Sequence, residues 1–151
     1  MEKNSTQTNG TNDYTVLDAE TQTYNKGHAF DPRNKVVSYA YTSPNGIRFR
    51  YHTDPNFGSV LEHVRDDSIL IGFNFKFDHH WCPHLYPHGV KIWDCQLAEH
   101  VYTGQKAQFI SLNECLERYG LETKKDLVKE LWDAGYQTTE IPLPVLQEYN
   151  E

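Results

Sequence analysis

The sequence predicts an α/β domain built on a mixed sheet, three antiparallel strands followed by parallel strands, with flanking helices. Three observations predict it. An apolar run from Tyr14 to Leu17 ends in the acidic pair Asp18 and Glu20, two strand-like segments flank a Thr-Ser-Pro-Asn-Gly turn, and the second half of the chain reads as a succession of helices with start and stop signals.

Taken in order, residues 14–17 read as a buried strand, and the period of two places Asp18 and Glu20 on one side of its end. Residues 35–41 and 46–51 form a hairpin across the Pro-Asn-Gly turn and continue the first strand as an antiparallel meander. Apolar spacings of three and four after Gly58 predict a short helix over 59–65. Residues 68–73 then read as a buried strand ending at Asn74, which puts Asp78 at the start of the next helix. A short strand over 91–94 leads into a helix over 96–102 that stops near Gly104. Ser111 and Glu114 have the spacing of a capping box, opening a helix that runs to Tyr119 and is ended by Gly120. A helix over 124–132 closes at Gly135, and Pro142 and Pro144 break the chain before a last helix over 145–150.

A chain of 151 residues fits one domain with one core, and 38% apolar content with 7 Phe, 10 Tyr and 3 Trp is enough to fold it. No apolar run approaches the length needed to span a bilayer, so no membrane partner is expected. Residues 1–12 are polar and lack a secretory signal; they read as a flexible tail on a domain covering 13–151, with a cytoplasmic location expected. Cys82, Cys95 and Cys115 are odd in number with no Cys-x-x-Cys pairing, which argues for reduced, structural thiols.

Asp18 and Glu20 at one strand end, with Asp78 following the next buried strand, carry the chemistry. Carboxylates held side by side repel one another, and a site that keeps them together usually supplies an oxygen-preferring divalent cation, Mg2+ or Mn2+. The formal net charge of −7 works against phosphate binding, but the basic residues are scattered and local field matters more than total charge. Two divalent cations would add about four positive charges at a scissile phosphate. Asp94 reads as a helix N-cap rather than a ligand. Phe75 and Phe77 read as core, with base stacking the competing role. The cluster His79, His80, Cys82, His84 and His88 has imidazole and thiolate donors but poor zinc spacing, since a single residue separates Cys82 from His84.

With these motifs in view, the chain resembles the DEDD-type 3′-to-5′ exonuclease domains, in particular the proofreading exonuclease at the front of phage-type family A DNA polymerases. Asp18-x-Glu20-Thr21 matches the first motif of that family, and Asn74-x-x-x-Asp78 matches its second. The segments 93–99, 111–120 and 125–135 look like its helical part. The resemblance implies a ribonuclease-H-like exonuclease fold, a hydrolase with two bound Mg2+ or Mn2+ ions, and a single-stranded or frayed 3′ end of DNA as partner, in a phage-infected host cell. It implies that Asp18 bridges both ions, that Glu20 and Asp78 each support one, that Thr21 and Asn74 contact the terminal nucleotide, and that Tyr149 positions water. The third motif of the family is Tyr-x-x-x-Asp. Tyr149 begins it, and its Asp would fall at position 153, two residues beyond Glu151. The domain therefore reads as incomplete at its C-terminus, weak or inactive alone, with the missing carboxylate supplied by a longer product or by a separate polymerase polypeptide. Glu148 and Glu151 lie at other helical angles from that position and are not expected to replace it. The competing expectations are a catalytically silent module that binds nucleic acid or docks a polymerase, and an RNA-directed exonuclease of the same fold.

Overall fold

The central strand of the computed structural model is β1 (Tyr14–Thr21), which carries Asp18 and Glu20 within it rather than beyond its end. The structure describes residues 14–59, 64, 68–81, 89–105, 109–124 and 127–151. β1 alternates strictly: Thr15, Leu17, Ala19 and Thr21 are buried, whereas Tyr14 and Val16 are exposed. The apolar run is therefore buried on one face only, a correction to the buried strand expected over 14–17. Alternation continues through the acids, so Asp18 and Glu20 share a face with Val16.

β2 (Val36–Ser43) and β3 (Gly46–Tyr51) form the predicted hairpin, antiparallel to each other, and β2 also pairs antiparallel with β1. β4 (Ile69–Gly72) and β5 (Lys91–Asp94) pair parallel, giving the order β3-β2-β1-β4-β5. The expected mixed sheet is thus present. A register shift between Glu20 and Thr21 marks a bulge where β1 leaves its partner.

Five helices follow the sheet order among the described residues: α1 (Phe75–Trp81), α2 (Cys95–Tyr102), α3 (Leu112–Arg118), α4 (Leu127–Asp133) and α5 (Leu143–Asn150). One face of the sheet packs Leu17, Ala19, Tyr39, Tyr41 and Leu70 against Val64 and Phe75. A second cluster joins Val37 to Val128, Ile141 and Leu146, and so fixes α4 and α5 to the sheet near the acids. The capping box of α3 is formed as predicted, with Ser111 Oγ accepting from Glu114 N and Glu114 Oε2 accepting from Ser111 N at 2.7 Å.

Four expectations need correction or fall outside the described residues. Lys124 lies in the extended segment before α4, not on that helix, whose described part starts at Leu127. α5 starts at Leu143 and takes Pro144 into its first turn, where a missing N–H has no intrahelical partner to lose. Of the helix expected over 59–65 little is described: Phe57–Ser59 is a 3-10 turn, Val64 is buried in the core, and 60–63 and 65–67 lie outside the described residues. Cys82, His84 and His88 of the zinc candidate also lie outside them. No helix among the described residues is long and apolar enough to cross a membrane.

Candidate metal centre

Parallel pairing of β1 with β4 brings the two acidic motifs together, because the chain leaves both strands at the same edge of the sheet. After β4 the backbone turns sharply through Phe73 and Asn74 into α1. Gly72 permits the turn: a Cβ there would lie 2.5 Å from Phe75 Cδ2 and 3.2 Å from the Leu17 carbonyl oxygen. Asn74 adopts a left-handed conformation with φ of 58°, which an Asn side chain tolerates better than most.

Asp94 fixes this turn. Its carboxylate accepts from Gln96 N at 2.9 Å and Leu97 N, capping α2 as expected, and also from Asn74 N at 3.1 Å and Phe75 N at 2.9 Å. One side chain thus satisfies the open N–H groups at the starts of two helices. The second capping role was not legible in the sequence.

Asp78, one turn into α1, is buried, and its Oδ1 accepts from Ala19 N at 2.9 Å, directly between Asp18 and Glu20. Burial, then the Asp18 charge, pushes the Asp78 carboxyl up to about 8, against the pull of the Ala19 N–H. Glu20 is half-buried within β1. Desolvation first and then the charges of Asp18 and Asp78 hold it well above the ordinary carboxylate range, with Lys124 opposing. The three acids therefore feel one another, and the centre is short of positive charge.

Asp18 is met by two side chains through one oxygen. Lys124 Nζ lies 3.0 Å from Oδ2, and Asn150 Nδ2 donates to the same atom at 3.2 Å. Asn150, at the end of α5, is buried and accepts at 2.9 Å from Ser38 Oγ, which lies opposite Glu20 across the sheet. Both partners of Asp18 were missed by sequence reasoning; an Asn beside a motif Tyr carries no signal until the helix is docked. Asp18, Glu20, Asn74, Lys124, Trp132 and Tyr149 line an open cleft of about 520 Å³.

The expected site residues divide as follows. Asp18, Glu20, Asn74 and Tyr149 line the cleft, and Asp78 supports it from beneath through Ala19 N. Tyr149 stands edge-on to Trp132, ring centroids 5.7 Å apart, with Lys124 Nζ 4.5 Å from its ring centre. Thr21 is not brought to the cleft: its side chain is buried, its hydroxyl donates to the Gln22 carbonyl, and its own carbonyl accepts from Thr138 Oγ1. Strand alternation turns it inward, on the same face as Leu17 and Ala19. Phe75 is core, 1% exposed, and takes no part in stacking, while Phe77 packs against Trp81.

Among the described residues, no three His, Cys, Asp or Glu side chains are drawn together closely enough to form a ready-made metal cage. The donor set still fits a hard divalent cation. All its candidate ligand atoms are carboxylate oxygens, two of the three carboxyls are raised by burial and then by the charge of Asp18, and an ammonium group already sits on the third.

No protein-family model and no curated protein matches the sequence. Solved structures do match. NrnC of Brucella melitensis bound to pGG superposes with a TM-score of 0.57 at 15% identity, over 91% of this chain and 65% of that one. The EXO domain of Nibbler from Aedes aegypti gives 0.56 at 15% identity, over 91% and 71%. NrnC with bound Mg2+ gives 0.56 at 16% identity, over 91% and 65%. The chain thus spans just under two thirds of the length of NrnC. The chain shares with these structures a ribonuclease-H-like fold, a mixed five-stranded sheet with flanking helices.

Proposed function

We propose that this chain is a metal-dependent 3′-to-5′ exonuclease domain that acts on single-stranded or frayed 3′ ends. The observation that carries the reading is that the parallel pairing of β1 with β4 sets Asp18 and Glu20 on the wall of one cleft and Asp78, one turn into α1, beneath them against Ala19 N. The fold supports it, as do two neighbours of that fold: one is described with Mg2+ and the other with pGG bound.

In this reading Asp18, Glu20 and Asp78 hold two Mg2+ or Mn2+ ions. When bound, such ions would acidify a water for attack and would supply counter-charge for the leaving 3′ oxygen. The rest belongs to side chains of the cleft itself. Asn74, exposed on the sharp turn and held by Asp94, presents an amide to the terminal nucleotide. Tyr149, braced against Trp132, presents its phenol to the attacking water. Asn150 keeps the Asp18 carboxylate oriented. α5 reaches the site with Asn150, and a helix continued by one turn carries position 153 on that same side, where the resemblance expects the fourth carboxylate.

The polymerase setting is supported by the motif resemblance alone. A second reading, an RNA-directed exonuclease, is favoured by pGG in the NrnC structure. One assay separates them: 5′-labelled single-stranded DNA and RNA of equal sequence, with Mg2+ or Mn2+, on this chain and on the chain extended through Asp at position 153. Metal-dependent ladders shortening from the 3′ end, lost in Asp18→Ala, are expected, with activity strongest in the extended form. Binding of either strand without products in both forms would make the chain a silent nucleic-acid-binding module instead.

A further inference from the structure

The strongest observation left over from the proposed chemistry is Lys124. It stands outside every motif, yet its ammonium group is the cation nearest Asp18 among the contacts of that carboxylate. Its backbone is pinned on both sides by α3: Asn113 Oδ1 accepts from Lys124 N at 3.0 Å, and Asn113 Nδ2 donates to Lys124 O at 3.4 Å. The placement is therefore built into the fold rather than left to a wandering loop. From that anchor Nζ reaches Asp18 Oδ2 at 3.0 Å while lying 4.5 Å from the centre of the Tyr149 ring. It thus has a second, weaker partner on the wall of the same cleft.

We propose that Lys124 is the exchangeable cation of this centre: it neutralises Asp18 in the metal-free protein, and it yields that oxygen to a divalent cation and turns to a phosphate oxygen of the bound strand. The inference rests on the functional reading above. Like charges compete. An ammonium group on Oδ2 and a divalent ion on the same carboxylate repel each other, so binding of one displaces the other. The side chain is only 29% exposed, yet it lines the cleft where the substrate phosphate must lie, and a flexible four-carbon stem with rotatable donors suits a group that changes partners. With a net charge of −7 on the chain, a basic group inside the cleft is what an anionic strand meets there. Lys124 is accordingly a metal-gating residue before substrate arrives and a phosphate contact afterwards.

The test uses the full chain and Mn2+ alone, read by electron paramagnetic resonance, with Asp18→Asn, Lys124→Gln and Lys124→Arg beside the wild type. Lys124→Gln is expected to bind Mn2+ more tightly by roughly tenfold, because a repelling cation has gone, and Lys124→Arg to stay within about twofold of wild type. In the unmutated protein the lysine ammonium NMR signal that Lys124→Arg removes is expected to shift when Mg2+ is added, a readout that does not depend on the folding of Lys124→Gln. Unchanged or weaker Mn2+ binding in a folded Lys124→Gln, or a Lys124 signal indifferent to Mg2+ that does bind, overturns the role of Lys124 and leaves the nuclease reading standing. If the wild type shows no Mn2+ site that Asp18→Asn abolishes, the functional reading itself fails, and this inference with it.

Discussion

Replacing Asp78 with Asn is expected to stabilise the metal-free protein while removing its affinity for divalent cations. The carboxyl is buried, faces the charges of Asp18 and Asp94, and titrates at about 8 in the folded chain against 3.8 for an ordinary Asp. Because the folded state holds this proton more tightly than the unfolded one, stability is fully present below the ordinary carboxylate range and falls as pH rises towards the folded value. From that separation the carboxyl costs the fold on the order of 4 kcal/mol at neutral pH and on the order of 6 kcal/mol once it is ionised. Asn keeps an oxygen to accept from Ala19 N, but it buries an amide whose N–H groups need partners, so a net gain of about 2 to 3 kcal/mol is expected. For a domain of this size that corresponds to roughly 5 to 10 °C in melting midpoint. The assay is thermal or urea unfolding in EDTA from pH 5 to about pH 9, repeated with Mn2+. Wild type should lose stability as pH rises and regain it with Mn2+; Asp78→Asn should be flatter with pH and indifferent to the metal. A wild-type profile flat over that range, or an Asp78→Asn protein less stable at every pH, would refute the electrostatic account of the centre.

Other substitutions probe the supports of the site. Gly72→Ala puts a methyl group onto the buried Phe75 ring and the Leu17 carbonyl, and should cost about 1 to 3 kcal/mol in urea unfolding, with reduced Mn2+ affinity because the Asn74 turn shifts. Asp94→Ala removes the caps of α1 and α2 together and should cost about 2 kcal/mol or more, whereas Asp94→Asn, which keeps one acceptor, should lose less. Asn150→Ala frees Asp18 Oδ2 of its amide partner and leaves Ser38 Oγ without its acceptor; a loss of about 1 to 3 kcal/mol in stability and several-fold weaker Mn2+ binding are expected by calorimetry. Thr21→Val, by contrast, should leave nucleotide binding within about twofold of wild type, since the hydroxyl is turned away from the cleft.

Local chemistry accounts for what the sequence determined by itself. Strand alternation, the Pro-Asn-Gly turn, the Ser111–Glu114 capping box and the N-cap at Asp94 are all settled within a few residues, so the hairpin, α2 and α3 stand close to where they were expected. The acidic motifs were legible for the same reason: two carboxylates two apart on a strand share a face whatever surrounds them. Only tertiary structure decided which residues surround those acids. The parallel pairing of β1 with β4 set Asp78 beneath Ala19 N. The docking of α5 through Leu146 delivered Asn150 to Asp18, and Lys124 came from a segment 106 residues away along the chain. Contacts across such separations leave no periodicity or spacing to read, because they are fixed by the closing of the core and not by the conformational preferences of neighbouring residues.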